Sequence, residues 1–239
     1  MGKLINKIWK SNDKKQWYEA VREYYSMITD IKTELKIEQV SSNPSIVEEM
    51  DSDEFYLFLY NCYFKWKYTD NRRLANSRKH LDAADKTDDF RTRLYSIKNR
   101  IFDMEHDTYF SYEQILKKAI EIPGLGVSGA SGLLSIVFPH RFGTVDQFVV
   151  DALNSISKPE FNKESVSSMI KNKTSLSIKN AVVLQSIICN KAKQIGLTPR
   201  QVDIVLWAVR DKESYHHKIH DDYNWIWMNK KQYEQFYES

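Results

Sequence analysis

Ile122-Pro123-Gly124-Leu125-Gly126-Val127-Ser128-Gly129-Ala130-Ser131-Gly132-Leu133-Leu134 gathers four of the chain's seven glycines into nine residues. Two folds compete for this stretch. Its Gly-x-Gly-x-x-Gly, with Asp146 twenty residues beyond Gly126, imitates a dinucleotide-binding turn, which needs a strand before the glycines, a helix after them and a parallel sheet around both. The residues ahead of it instead space Ile115, Leu116, Ala119 and Ile120 along one helix face, and no strand-helix-strand succession follows. The stretch therefore reads as a hairpin between two helices, Tyr112 to Ile122 and Val127 to Phe138. Gly124 and Gly126 are expected to admit φ > 0 and close backbone approach. With the free amides of Val127 and Ser128 at the second helix's start, they offer a seat for a DNA phosphate. Such a contact carries no base identity.

Outward from the hairpin the chain reads as all-α. Lys14 to Ile37 places Trp17, Val21, Tyr24, Tyr25, Ile28, Ile31 and Leu35 at three- and four-residue steps, predicting one long amphipathic helix. A second helix is predicted from Ser45 to about Tyr63, followed by a polar, aromatic, turn-rich segment from Lys65 to Arg73. Further helices are predicted over Arg91–Phe102, Gln147–Ile156, Ser165–Lys171 and Ser177–Ile195, with a last one opened by Thr198 as cap and Pro199 at its first position. Trp207, at helical spacing within that last element, reads as core. The aromatic load of His216 to Ser239 predicts packing back onto the body.

Composition narrows the class. At 239 residues, with 42% hydrophobic and 28% charged residues, the chain can bury a core of its own. Two cysteines, Cys62 and Cys189, cannot make a disulfide framework or a four-cysteine cluster. No run of about 18 apolar residues occurs, so a cytoplasmic, membrane-free protein is expected. The net charge of +3 hides an asymmetry: residues 60–100 carry eleven Lys/Arg against five Asp, a local +6 against −3 elsewhere. That basic stretch suits a nucleic-acid partner. Within it Trp66, Tyr68, Asn71, Arg72 and Arg73 are candidates for a base pocket or DNA contact, because an extruded base needs a ring to stack on and polar groups at its edge. His216, His217 and His220 offer i, i+4 spacing without a placed third ligand, and no metal is expected.

Ile-Pro-Gly-Leu-Gly followed by a small-residue helix, then Arg141-Phe142-Gly143-Thr144-Val145-Asp146-Gln147-Phe148, resembles the hairpin and catalytic loop of the helix-hairpin-helix DNA glycosylases. Their pattern is Leu-Pro-Gly-Val-Gly-x-Lys-x-Ala, then Val-Asp-x-His, with Asp eighteen residues after the Lys position. Ser128 and Asp146 are eighteen apart. The resemblance covers about residues 112–156 and implies a two-lobed all-α domain over 1–239. One helical lobe, around 45–156, would hold the hairpin 112–138, and the N- and C-terminal helices would form the other, with the active site between them.

The resemblance makes Asp146 the catalytic carboxylate, a role compatible with capping the helix it precedes. Ser128 stands at the family's lysine position and Phe148 at its histidine. A serine forms no imine with C1′, so the resemblance implies a cofactor-free, monomeric, monofunctional enzyme acting on double-stranded DNA with water as nucleophile. Among cluster-free bacterial relatives, anti-phage members point to a bulky base, glucosylated hydroxymethylcytosine. Repair of oxidised or alkylated bases is the alternative, and a silent helix-hairpin-helix DNA-binding protein the alternative of another class.

Overall fold

The computed structural model describes residues 3–107, 109–171, 176–210 and 212–214, among which there are α-helices and no strand. The helix predicted from Lys14 to Ile37 is two. After α1 (Lys3–Trp9), α2 (Lys14–Ser26) stops, and α3 (Ile31–Ser42) begins afresh because the Asp30 carboxylate accepts from Thr33 N and Thr33 Oγ1 at 3.1 and 2.8 Å. The side-chain cap outcompetes continuation of the apolar stripe.

The predicted Ser45–Tyr63 helix is likewise divided. α4 (Ser45–Glu48) ends before Asp51, which forms a reciprocal capping box with Glu54 and starts α5 (Ser52–Phe58). α5 runs through a π-helical turn, Leu59–Tyr63, into α6 (Phe64–Lys67). Each residue turns an α-helix by about 100°, so one wider turn rotates everything after it onto a new face. Here the side chains so rotated are Trp66 and Lys67.

The turn-rich reading of Lys65–Arg73 holds only for Tyr68–Asp70. Asp70 accepts from Arg73 N at 2.9 Å and opens α7 (Asn71–Asp85), so Asn71 is a helical residue. α8 (Phe90–His106), α9 (Tyr112–Ile120), α10 (Val127–Val137), α11 (Gln147–Asn154), α12 (Lys163–Lys171) and α13 (Ile178–Ile195) follow within a few residues of their predicted bounds. α14 (Pro199–Val209) is capped by Thr198 with Pro199 at its start, as predicted.

α14 is central: it packs against α2, α11 and α13, while α10 packs against α9 and α3. Trp17 and Ala20 of α2, and Val202 and Leu206 of α14, are fully buried; emptying a Trp17-sized volume costs about 3–5 kcal/mol. No helix among the described residues is long and apolar enough to cross a membrane. The C-terminal aromatic segment and His216, His217 and His220 lie outside the described residues.

Candidate active site

The loop before α11 is fixed from three sides. Gly143 passes so close to α14 that a Cβ there would sit 2.8 Å from the Pro199 carbonyl oxygen. Val145 N donates to Ser131 Oγ at 3.0 Å, and Thr144 Oγ1 pairs with Ser135 Oγ at 2.9 Å, both serines lying buried on α10. Thr144 N donates to Asp203 Oδ2 at 3.0 Å. Asp146 emerges from this clamp with its two oxygens divided. Oδ1 caps α11, accepting from Phe148 N at 3.0 Å and Val149 N at 3.2 Å, and Oδ2 accepts from Lys67 Nζ at 3.2 Å. The cap therefore leaves one oxygen for other work.

Lys67 reaches Asp146 across α10. A Cβ on Gly132, one turn beyond Ser128, would lie 3.2 Å from Lys67 Cδ and 2.8 Å from Tyr63 Oη. Glycine at 132 thus gives the lysine stem its passage, and the pair is largely covered, with side-chain exposures of 9% and 16%.

Asp146 and Lys67 line a cavity of about 340 Å³, within the range of small-molecule sites. The α2–α3 loop (Met27 to Asp30), Trp66 of α6, Phe148 of α11 and a face of α14 bearing Arg200, Asp203 and Trp207 complete it. Glu34, on α3, is buried in the same wall and accepts from Tyr24 Oη at 2.9 Å and Trp66 Nε1 at 3.0 Å. Burial, together with repulsion from Glu38, raises its carboxyl above the ordinary range. Burial likewise lifts Asp203 to about 7, and the negative charge of Asp146 adds to the shift. At the rim Asp30 and Lys65 pair at 2.6 Å, a contact that holds Asp30 down at about 2. Four carboxylates thus line one cavity: Asp30 and Asp146 lie against ammonium groups, while burial holds Glu34 and Asp203 toward the neutral form.

Other predicted residues fall elsewhere. Tyr68 does not line the cavity; its hydroxyl approaches Gly124 O at 3.5 Å and lies against Gly129, so it braces the hairpin. Asn71, Arg72 and Arg73 are exposed on α7, away from the cavity wall. Ser128 is half-buried and also outside the wall. Gly124 has the expected positive φ of 88°, but what approaches it is protein: a Cβ there would lie 2.5 Å from Ser77 O of α7. Gly126 is extended, at φ −93°, with nothing within 4 Å of an added Cβ. It caps α10 without any side chain, so the first amides of that helix, at Val127 and Ser128, have no capping side chain to accept from them.

The basic stretch is partly spent internally. Lys98 donates to the carbonyls of Glu48 and Met50, Arg91 pairs with Asp85 and Asp53, and Arg78 donates to Tyr60 O at 3.0 Å. Arg72, Arg73 and Lys79 of α7 remain exposed. Lys117 and Lys118 pair with Glu113 and Glu121, a solvated helix face.

Trp207, read as core, is half-buried and lines the cavity, stacked edge-on to Tyr24 at 5.3 Å. Lys67, Glu34, Arg200 and Asp203 were invisible as a set, since they are scattered over 170 residues of sequence. The one local sign was polarity at Arg200 and Asp203 on a helix otherwise apolar beyond the capping Gln201. Among the described residues no three His, Cys, Asp or Glu side chains converge as a metal site. Comparison with known families, characterised proteins and solved structures finds no match to this chain.

Proposed function

We propose that the chain is a two-lobed helix-hairpin-helix DNA glycosylase, monomeric and cytoplasmic, that extrudes a modified base and excises it hydrolytically. The observation that carries this reading is Asp146, pinned at the start of α11 with Oδ2 in the wall of a base-sized cavity beside Trp66. In the reaction the C1′–N bond breaks, its electron pair leaves with the base, and positive charge develops on the sugar. The Asp146 carboxylate stabilises that charge. Water adds to C1′ and gives its proton to Asp146 or solvent, the base takes up a proton, and an abasic site remains.

The surroundings support DNA as partner. The uncapped N-terminus of α10 at Val127 and Ser128 suits a phosphate, and exposed Arg73 lies one turn from Ser77, against which Gly124 rests. Phe148, 42% exposed at the cavity mouth, is placed to fill the gap an extruded base leaves. The two lobes of this reading are α2, α3 and α14 on one side and α6 with the α10–α11 loop on the other.

Glucosylated hydroxymethylcytosine in phage DNA is the favoured substrate, because Thr29, Asp30, Lys65 and Thr69 give the rim donors and acceptors for sugar hydroxyls. The test incubates the protein with glucosylated phage DNA, the unglucosylated form, and oligonucleotides carrying 8-oxoguanine or 3-methyladenine, followed by alkali to reveal abasic sites. Alkali-labile sites confined to glucosylated DNA are expected; sites only in the oligonucleotides would restore ordinary repair, and none anywhere would leave the silent DNA-binding protein. One observation favours a second reading: Lys67 places an amine 3.2 Å from Asp146, where Ser128 cannot supply one. Were that amine the nucleophile, borohydride would trap a covalent complex that Lys67→Met abolishes.

A further inference from the structure

Arg200 is 3% exposed, on the first turn of α14. Its Nη2 donates to Glu38 at 2.7 Å, its guanidinium lies 5.5 Å from the centre of the Trp66 ring, and its backbone amide donates to Pro139 O at 3.4 Å. Nη1 has no hydrogen-bond partner. A buried guanidinium nitrogen left without an acceptor is costly, and arginine can act only as a donor. Arg200 also lines the cavity, and an acceptor that enters there can supply the missing partner.

The neighbouring groups define that partner further. Tyr24 Oη and Trp66 Nε1 both already donate to Glu34, so of these three neighbouring donors Arg200 is the one with hydrogen-bonding capacity to spare. The acceptors beside it are carboxylates, Glu34 and Asp203. Three of the four cations that line the cavity are already paired with carboxylates, Lys65 with Asp30, Lys67 with Asp146 and Arg200 with Glu38, so there is no free positive well for an anion. A neutral ring that presents an acceptor beside an amino donor satisfies both sides, with indole surface from Trp66 to pack on.

We propose that Arg200 is the specificity-determining residue of this cavity, its Nη1 donating to the ring carbonyl of a cytosine-type base whose amino group faces the carboxylates. The assignment rests on the glycosylase reading for its biological meaning, but base binding is measured without any cleavage. Adenine offers Nη1 a ring nitrogen in place of a carbonyl oxygen, on a bulkier purine, and is held more weakly.

The test is isothermal titration of the intact protein with free cytosine, adenine and inorganic phosphate, repeated with Arg200→Lys and Arg200→Met after circular dichroism has shown that each variant folds. Arg200→Lys is the decisive variant, because a lysine keeps a cation for Glu38 and loses the second nitrogen. Cytosine should bind the wild type, adenine at least about tenfold more weakly, and Arg200→Lys should lose about tenfold or more for cytosine, as expected for a hydrogen bond from a charged donor. Cytosine binding unchanged in Arg200→Lys, no cytosine binding up to its solubility limit, or phosphate as the tighter ligand would each overturn the proposal. Failure of the glycosylase reading shows separately, as wild-type protein that binds cytosine yet leaves no abasic sites in any DNA.

Discussion

The hairpin at Pro123–Gly126 and the α14 wall of the cavity solve opposite problems. The hairpin presents backbone: Gly124 turns with φ 88° against Ser77, and Gly126 caps α10 with no side chain, so the first amides of that helix have no side-chain acceptor. The wall presents side chains, Arg200, Asp203 and Trp207, held in place by partners from α2, α3 and the α10–α11 loop. A backbone device occupies consecutive residues, whereas a side-chain device is assembled from segments far apart in the chain. Only the first can be indifferent to sequence in what it binds. On the proposed function, the hairpin holds any DNA and the wall chooses the base.

The largest expected effect falls where the two regions meet. Asp146→Asn keeps an oxygen to cap α11 but removes the charge, so turnover should drop by about 10²–10³-fold, the scale of losing one preorganised electrostatic partner. DNA affinity, measured by fluorescence anisotropy, should be unchanged. A loss of binding as large as the loss of turnover would place Asp146 in the hairpin's task instead.

Gly124→Ala comes next, and it tests whether the hairpin is as tightly built as its contacts imply. A Cβ 2.5 Å from Ser77 O, on a residue with φ 88°, should cost about 3 kcal/mol from backbone strain and overpacking. Thermal melting should shift down by roughly 6–12 °C for a chain of this length. A melting temperature within a degree of wild type would mean that α7 and the hairpin are free to separate.

The wall should show itself in the pH dependence of stability. Asp203, raised to about 7 by burial and Asp146, keeps its proton in the folded state after the unfolded chain has released it. Stability is therefore highest below about pH 4 as far as this group is concerned, and falls as pH rises toward 7, by up to about 1.4 kcal/mol per pH unit. Asp203→Asn, whose amide oxygen still accepts from Thr144 N, should flatten that fall in urea titrations across the window. An identical slope in the variant would put the carboxylate in a wetter setting than the wall provides.

Gly126→Ser gives the smallest effect and separates the regions most cleanly. The extended backbone at Gly126 accepts a serine, whose hydroxyl would cap α10 and add about 0.5 kcal/mol. On the proposed function the same hydroxyl occupies an amide assigned to phosphate, so DNA affinity should fall while cytosine binding in the cavity stays constant. Equal losses in both would show that the hairpin and the wall are one site.

What was legible in the sequence follows the same division. The hairpin, the Thr198–Pro199 start of α14 and the capping role of Asp146 are local, written in adjacent residues, and the structure has them in place. The breaks at Ser26 and Asp51 were obscured because apolar periodicity runs across them, while the signals that end the helices are single aspartates making caps. Asn71 to Asp85 was passed over because α7 is polar on most faces and buries only Ser77 and Leu81. Lys67 points at Asp146 only after the π-helical turn has rotated α6, a register change that no period in the sequence announces. Trp207 packs against the core and also lines the cavity, and helical spacing with valines shows only the first, since it is the same whether the remaining face meets a core or a cavity.

On the proposed function, the cavity beside Asp146 holds a base at the moment its bond to the sugar is broken. Chromatography coupled to mass spectrometry of the small molecules released from glucosylated phage DNA tests it most directly. Wild-type protein should release free glucosylated hydroxymethylcytosine, one molecule for each alkali-labile site formed, and Asp146→Asn should release at most about one hundredth as much in the same time. Release undiminished in Asp146→Asn, or strand breaks without any free base, would contradict it.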